Sequence, residues 1–535
     1  MTLLNFPETL KGLPVRSRDM IFLSLIVAFN LIIKSIPASI LELGNDEVYY
    51  WTYALFPDWS HFDHPPMVGL LIQLFSLNLA LKGELFIRMG PLILSSAGII
   101  ILFSLVRRLH SRPAAYLAVM LYISSIYFNI IGGLFILPDA PQIFFTLLAL
   151  TYLLPSVTVK DPSRKDHFNF VMFGLFTGLA FLSKYHSLFL WFGAGLYIVL
   201  RNRIWLKRPA LYLGILVSLI MALPVIYWNI RNNFISFAYH GGRIGLLHSP
   251  LNFGSFLQFN LGQFFYQNPV LCGVYLVALY RIIRDRNHKL REINLVLVYL
   301  GLPLILTFMF LSFFRDVLPH WSGPAFICMI IISSIYLADI FVKRKKVVVR
   351  WLTAASALLA VILIVGTVQI KTGLIGPDKD SGALYPGQDD FTLDMFGWKQ
   401  AKEKFTGFLV RQKIPETEYP NLAMVTENWF PAAHLDYYIA NPLKIRLLAL
   451  GDIKRIHKYY WINKTRKLAR TDRVLYITDS RNYHGPEEFA GCFTGIIPLD
   501  TLIIERRKKE VKYIYIYDLV GFKCDSVLYS LHPSF

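Results

Sequence analysis

Long apolar runs, separated by short polar segments, fill the first 370 residues. A helix needs about 20 mostly apolar residues to cross the roughly 30 Å hydrocarbon layer of a membrane. By that measure the pattern predicts eleven spans, at about 20–39, 84–106, 113–131, 134–155, 168–183, 187–200, 209–228, 266–283, 293–313, 321–342 and 350–370. A further apolar helix over 66–81 follows Pro65-Pro66 and is short for a span, so it is read as lying along the membrane interface. From about residue 371 the pattern changes. A Gly/Pro/Asp-rich linker (Gly376-Pro377, Tyr385-Pro386-Gly387) leads into short alternating runs. Asn421 to Thr426, Arg446 to Leu450 and Arg473 to Thr478 read as strands, and Ile503 to Glu505 with Val511 to Leu519 as a hairpin about the turn Arg506 to Glu510. Gly397 to Val410 and Pro431 to Ile439 read as helices. The expected organisation is a mainly α, polytopic membrane domain (1–370) of about eleven helices, followed by a small extracytoplasmic α/β domain (371–535).

Composition agrees with lipid as the solvent. The chain of 535 residues is 55% hydrophobic and 17% charged, where soluble chains carry about 25% charged residues. Its net charge of +19 does not mark a nucleic-acid surface, because the excess sits in the hydrophobic part. The N-terminal arm (Lys11, Arg16, Arg18) is basic, and so is every second loop after it: 107–112, 160–165, 201–208, 281–291 and 343–350. Lys and Arg collect in cytoplasmic loops, so the N-terminus is expected inside and residues 371–535 outside. The first apolar run, broken by Asn30 and Lys34, reads as a retained anchor rather than a cleaved signal. Of the four cysteines, Cys272 and Cys328 fall in apolar runs. Cys492 and Cys524 fall in the outer domain, where an oxidising compartment permits a disulfide, although spacing alone does not show that two cysteines meet.

What remains on the outer side is sparse and of mixed sign. Seven basic residues (Lys34, Lys82, Arg88, Lys184, Arg231, Arg243, Arg315) accompany eight acidic ones (Glu42, Asp46, Glu47, Asp58, Asp63, Glu84, Asp139, Asp316). Ionisable groups at membrane depth are costly and tend to be functional. Asp46-Glu47 lies just beyond the first span and opens onto the aromatic run Tyr49-Tyr50-Trp51. A carboxylate there suits proton abstraction from a hydroxyl; the plain alternative is that Asp46 caps the helix that follows. His61, Asp63 and His64 read either as metal ligands or as a solvated turn. Pro138-Asp139-Ala140-Pro141, Ser183-Lys184-Tyr185-His186 and Leu318-Pro319-His320-Trp321 each mark the outer end of a span. Capping, snorkelling and interfacial anchoring are their respective plain readings. Their gathering on one face is what raises all three.

Asp46-Glu47, the FDHPP run (Phe62 to Pro66), PDAP, SKY and LPHW occur here in an order that resembles the bacterial dolichyl-phosphate-mannose-protein mannosyltransferase-like group, which includes the lipid A aminoarabinose transferase. The resemblance covers roughly 40–330 and extends to the GWKQAKEKF stretch after Phe396. It implies an integral-membrane glycosyltransferase of the GT-C type, in the bacterial inner membrane, using a sugar on a polyprenyl phosphate at the outer face. It further implies that Asp46 is the base. Where the aminoarabinose transferase has a lysine and an arginine, this chain has His64 and Tyr49, so neither that sugar nor a lipid A acceptor carries over. The expected reaction is a single inverting displacement at the anomeric carbon. Asp46 and Glu47 are the catalytic pair, while Asp139, Lys184, Tyr185, Arg243, His320 and Tyr49 hold sugar or phosphate. A divalent metal is a further candidate at Asp63 with His64 or His240. The acceptor is a lipid, glycan or protein. The competing expectation is a transporter or lipid flippase, which would place ionisable groups near the bilayer midplane.

Overall fold

In a computed structural model the chain is described over residues 15–244, 250–285, 290–375, 385–469 and 472–523. It forms two compact units. One comprises residues 1–38, 58–81 and 85–362; the other comprises 39–57, 82–84 and 363–535. The boundary expected near residue 370 divides the chain differently: the segment carrying Asp46 groups with the C-terminal part.

The first unit is helical. Five helices among the described residues are long and apolar enough to cross a membrane: Ser17–Ile40, Met89–Leu109, Pro209–Arg231, Arg291–Leu311 and Pro319–Thr372. The last merges the expected tenth and eleventh spans, which run as Phe326–Thr372 with one non-helical residue, Arg344, between them. Other expected spans are shorter in structure, such as Arg112–Ser124, Asp139–Leu153 and Leu188–Arg201. Two helices that the pattern missed, Ile235–Ile244 and Phe253–Tyr266, lie between spans. Their apolar faces are interrupted by Ser, His, Gln and Gly, which weakens the periodic signal. The core is built where helices meet, from residues such as Leu102, Leu117, Leu121, Leu147, Phe170 and Ile331. Leu216, Leu219 and Leu223 leave an exposed apolar stripe on Pro209–Arg231, as lipid-facing positions require. Three of the buried polar groups find partners within the unit: Asn30 donates to Ser96 (3.1 Å), Lys34 to Ser95 (3.2 Å), and Arg88 to the Ala38 carbonyl (3.0 Å).

The second unit is built on a five-stranded mixed sheet of β1 (Leu422–Glu427), β2 (Arg446–Leu450), β3 (Arg473–Asp479), β4 (Gly495–Arg506) and β5 (Lys509–Val520), in the order β2-β1-β3-β5-β4. β1 runs parallel to both β2 and β3, whereas β5 pairs antiparallel with β3 and β4. The expected strands are present; β4 starts eight residues earlier than Ile503, through a partly exposed stretch in which Gly495, Pro498 and Asp500 weaken the strand signal. Strand alternation sends Ala423, Val425, Leu448, Leu450, Val474, Tyr476 and Leu519 to one buried face. Cys492 is disulfide-bonded, whereas Cys272 and Cys328 are free; Cys524 lies outside the described residues.

Candidate functional site

In the helical unit, helix ends gather most of the candidate residues. Asp139 begins the helix Asp139–Leu153 and is buried. Its carboxylate accepts from Lys184 Nζ at 3.1 and 2.9 Å and from the Tyr127 hydroxyl at 2.7 Å. Lys184 is itself 3% exposed. Two opposite charges taken out of water together are tolerable when each is hydrogen-bonded to the other. Snorkelling is therefore not what this lysine does. His320 lies within electrostatic reach of Asp139, and its ring lies 6.4 Å from that of Tyr266.

The FDHPP turn closes beside this pair. His61 N–H donates to the His64 carbonyl (3.2 Å), and Met67 N–H to the Leu182 carbonyl (3.1 Å), docking the turn on the end of Arg164–Phe181. His240, on Ile235–Ile244, meets the Asp63 carbonyl through Nε2 at 2.8 Å and Tyr185 edge-on at 5.2 Å between ring centroids. The Tyr185 hydroxyl meets Ser236 Oγ at 3.1 Å. Burial pushes the His64 imidazole down to about 3; Lys184 and His240 act in the same direction and Asp63 and Asp139 oppose them. His64 is therefore neutral at pH 7. Among the described residues no group of three or more His, Cys, Asp or Glu is placed to hold a metal ion, and Asp63 meets His240 through its backbone carbonyl. The Arg243 side chain lies outside the described residues, though its backbone is on Ile235–Ile244.

Two members of this group had no place among the expected site residues. His186 faces Phe308 (4.7 Å) and Trp321 (6.0 Å), and electrostatically it faces Lys184, Asp139, His240 and His64. It stands next to the SKY motif, which was its one signal. Tyr127 sits on a π-turn, Tyr127–Ile131, inside an apolar run, where nothing in the sequence distinguishes it.

Asp46, Glu47 and Tyr49 belong to the other unit, on the helix Asn45–Leu55. Asp46 is exposed on its first turn. Capping falls to Glu47, not Asp46: Glu47 is 3% exposed and accepts from the Gly44 N–H at 2.9 Å. In the aromatic run that follows, Tyr49, Tyr50, Trp51 and Tyr53 are all buried. Tyr49 packs on Trp429 (4.8 Å), and its hydroxyl accepts from the Lys458 N–H (3.3 Å), so it is taken up in packing rather than presented to a ligand.

The chain thus combines a helical unit, in which helix ends bring buried ionisable groups together, with a second unit built on a small mixed sheet. Residues 63–228, which include Asp63, His64, Asp139, Lys184 and Tyr185, match the model of the dolichyl-phosphate-mannose-protein mannosyltransferase family. Two solved structures share the fold across nearly the whole chain. ArnT from Cupriavidus metallidurans in the apo state has a TM-score of 0.62 and 14% identity over 93% of this chain and 98% of that one. ArnT from the same organism bound to undecaprenyl phosphate has a TM-score of 0.63 and 14% identity over 92% and 98%. The lipid A galacturonosyltransferase RgtD of Rhizobium johnstonii is 23% identical over 300 residues, 54% of this chain. The match spans 59% of that curated relative's length. The resemblance read from the ordered motifs is borne out: the chain is related to GT-C membrane glycosyltransferases, the aminoarabinose transferase among them.

Proposed function

We propose that this protein is a membrane glycosyltransferase that moves a sugar from a polyprenyl-phosphate donor to an acceptor hydroxyl at the outer face of the bacterial inner membrane, with inversion. The observation that carries this reading is the buried Lys184, paired with an Asp139 that Tyr127 also bonds and within electrostatic reach of His64 and His186, all inside the segment matched by the family model. A cation held in dry surroundings is worth most against charge that grows as a phosphate leaves. The similar ArnT structure with undecaprenyl phosphate and the lipid A activity in the name of RgtD support the same class of chemistry.

In this reading the acceptor oxygen attacks the anomeric carbon, the bond from that carbon to the phosphate oxygen breaks, and the acceptor proton passes to Asp46. Lys184 steadies the departing phosphate, with His320 and Arg243 as further phosphate or sugar contacts. Tyr185, hydrogen-bonded to Ser236, borders the same group. Glu47 holds the helix that presents Asp46.

The test uses the full chain in nanodiscs, with radiolabelled polyprenyl-phosphate sugars and an envelope lipid and glycan extract as acceptors. Wild type is expected to transfer label. Asp46→Asn is expected to lose about a hundredfold or more in kcat, within the range that general-base catalysis supplies, with its Tm unchanged. Full activity in that variant overturns the base assignment. Movement of intact donor across a bilayer without bond cleavage would instead favour the transporter.

A further inference from the structure

Resting on the role given to Asp46 above, a second feature of the C-terminal unit stands out. The four residues before Asp46 are each anchored in turn. The Glu42 carboxylate accepts the Trp398 N–H at 2.7 Å and the Lys399 N–H at 3.3 Å. The Leu43 N–H donates to the Tyr438 hydroxyl at 2.7 Å. The Gly44 N–H donates to Glu47. The Asn45 carboxamide oxygen meets His434 Nε2 at 2.8 Å. Three of these four anchors come from residues more than 350 positions away in the chain, so they are supplied by the C-terminal fold and not by the local turn.

The anchors are themselves immobilised. His434 is fully buried and lies flat on the Trp398 indole, 4.2 Å between centroids at 7°. Lys512 on β5 sits over that indole at 3.7 Å. The Tyr438 hydroxyl also reaches Glu84 (3.3 Å), which Lys399 pairs with at 2.7 Å. Further along the same helix, Trp51 packs edge-on against Tyr437 at 5.1 Å, and Lys458 Nζ donates to the Phe56 carbonyl at 2.6 Å. Both ends of Asn45–Leu55 are thus held by the sheet unit, while Asp46 itself is exposed. A helix of 11 residues has little stability alone; its orientation here is set by those contacts.

We propose that His434 and Tyr438, with the Glu42 to Trp398 clamp, are positioning residues that fix the direction in which Asp46 is presented, so that the C-terminal unit is part of the catalytic apparatus. Nε2 of His434 is the donor to the Asn45 oxygen, and a glutamine at 434 places an N–H at nearly the same distance from the backbone. An alanine does not.

The test is steady-state transfer by the full chain in nanodiscs, wild type against His434→Ala, His434→Gln and Tyr438→Phe, with kcat and the KM for donor and acceptor measured separately. A base misplaced by about 1 Å is expected to cost ten- to a hundredfold in kcat. His434→Ala and Tyr438→Phe should show that loss with donor KM unchanged, and His434→Gln should recover most of it. Wild-type kcat in both His434→Ala and Tyr438→Phe overturns the proposal. So does a loss that His434→Gln fails to restore while its Tm matches wild type. If His434→Ala does not fold, the single hydroxyl removed in Tyr438→Phe decides alone. Failure of the underlying reading looks different: wild type would transfer no sugar, or Asp46→Asn would be fully active.

Discussion

At the scale of single residues, two adjacent carboxylates have different tasks, and the sequence could not divide them. Asp46 and Glu47 are neighbours at a helix start, where either side chain type can cap. Only the folded turn shows Glu47 bonded to the Gly44 N–H and Asp46 exposed. Glu47→Gln retains an acceptor oxygen and is expected to keep at least half of wild-type kcat. Glu47→Ala should lower Tm in proportion to a lost cap, about 1 kcal/mol. Steady-state assays and thermal unfolding of the two variants check this. The Asp139 and Lys184 pair separates structure from chemistry in another way. Asp139→Asn strands a buried ammonium, a change that costs about 3–5 kcal/mol, whereas Asp139→Asn combined with Lys184→Met removes both charges. The double variant should regain much of the lost Tm and remain without transfer activity. The motifs PDAP and SKY pointed to these two residues, but nothing in either motif said that the two side chains meet. Tyr127, their third partner, carried no signal because a tyrosine in an apolar run looks like any other core residue.

At the scale of elements, the sheet was legible because strand periodicity survives in short buried runs: Arg446 to Leu450 was read with the bounds that β2 has. Helix contacts were not legible, because close approach depends on where two glycines fall once the helices are paired. A Cβ on Gly174 would lie 2.1 Å from the Gly214 carbonyl oxygen, while one on Gly195 meets nothing within 4 Å. Small residues let membrane helices pack backbone to backbone. Gly174→Ile is expected to abolish the folded, monodisperse fraction in size-exclusion chromatography, and Gly195→Ile to leave it within about 20% of wild type, as a site with room should. On β5, Lys512 is fully buried, and burial pulls its ammonium down to about 8; Asp479, Glu42 and Asp394 oppose that pull and Arg481 adds to it. Below pH 8 the lysine is protonated in both folded and unfolded chains, so the penalty of burying the charge is fully present. Between pH 8 and its unfolded value the unfolded chain holds the extra proton, and stability rises with pH. Lys512→Met should therefore be the more stable protein at pH 7, by roughly 3 kcal/mol at most from the size of the shift. Its advantage should shrink between pH 8 and 10, which Tm measured across that range will show. An advantage that grows with pH would contradict the assignment.

At the scale of the whole molecule, the distribution of charge was readable from sequence even where the helices were not. The basic loops alternate regardless of whether each apolar run becomes one long helix, a short one, or half of a merged one such as Phe326–Thr372. That robustness has a physical source: orientation follows Lys and Arg near the ends of membrane segments, whereas helix length follows packing partners that the sequence does not name. The alternation predicts that residues 160–165 face the cytoplasm and the C-terminal unit faces outward, and the disulfide-bonded Cys492 agrees with an oxidising side. Two exposed positions test it, Ser163 on the basic loop and Glu416 in the C-terminal unit. In spheroplasts a membrane-impermeant maleimide should label Glu416→Cys at once and Ser163→Cys only after lysis, read as the mass shift of the purified protein. Labelling of Ser163→Cys in intact spheroplasts would invert the orientation, and with it would move Asp46 and its acceptor to the cytoplasmic face. Equal labelling of both before lysis would mean that the spheroplasts leak, which a cytoplasmic marker enzyme detects, so the two positions together fix the side of the membrane on which the chemistry takes place.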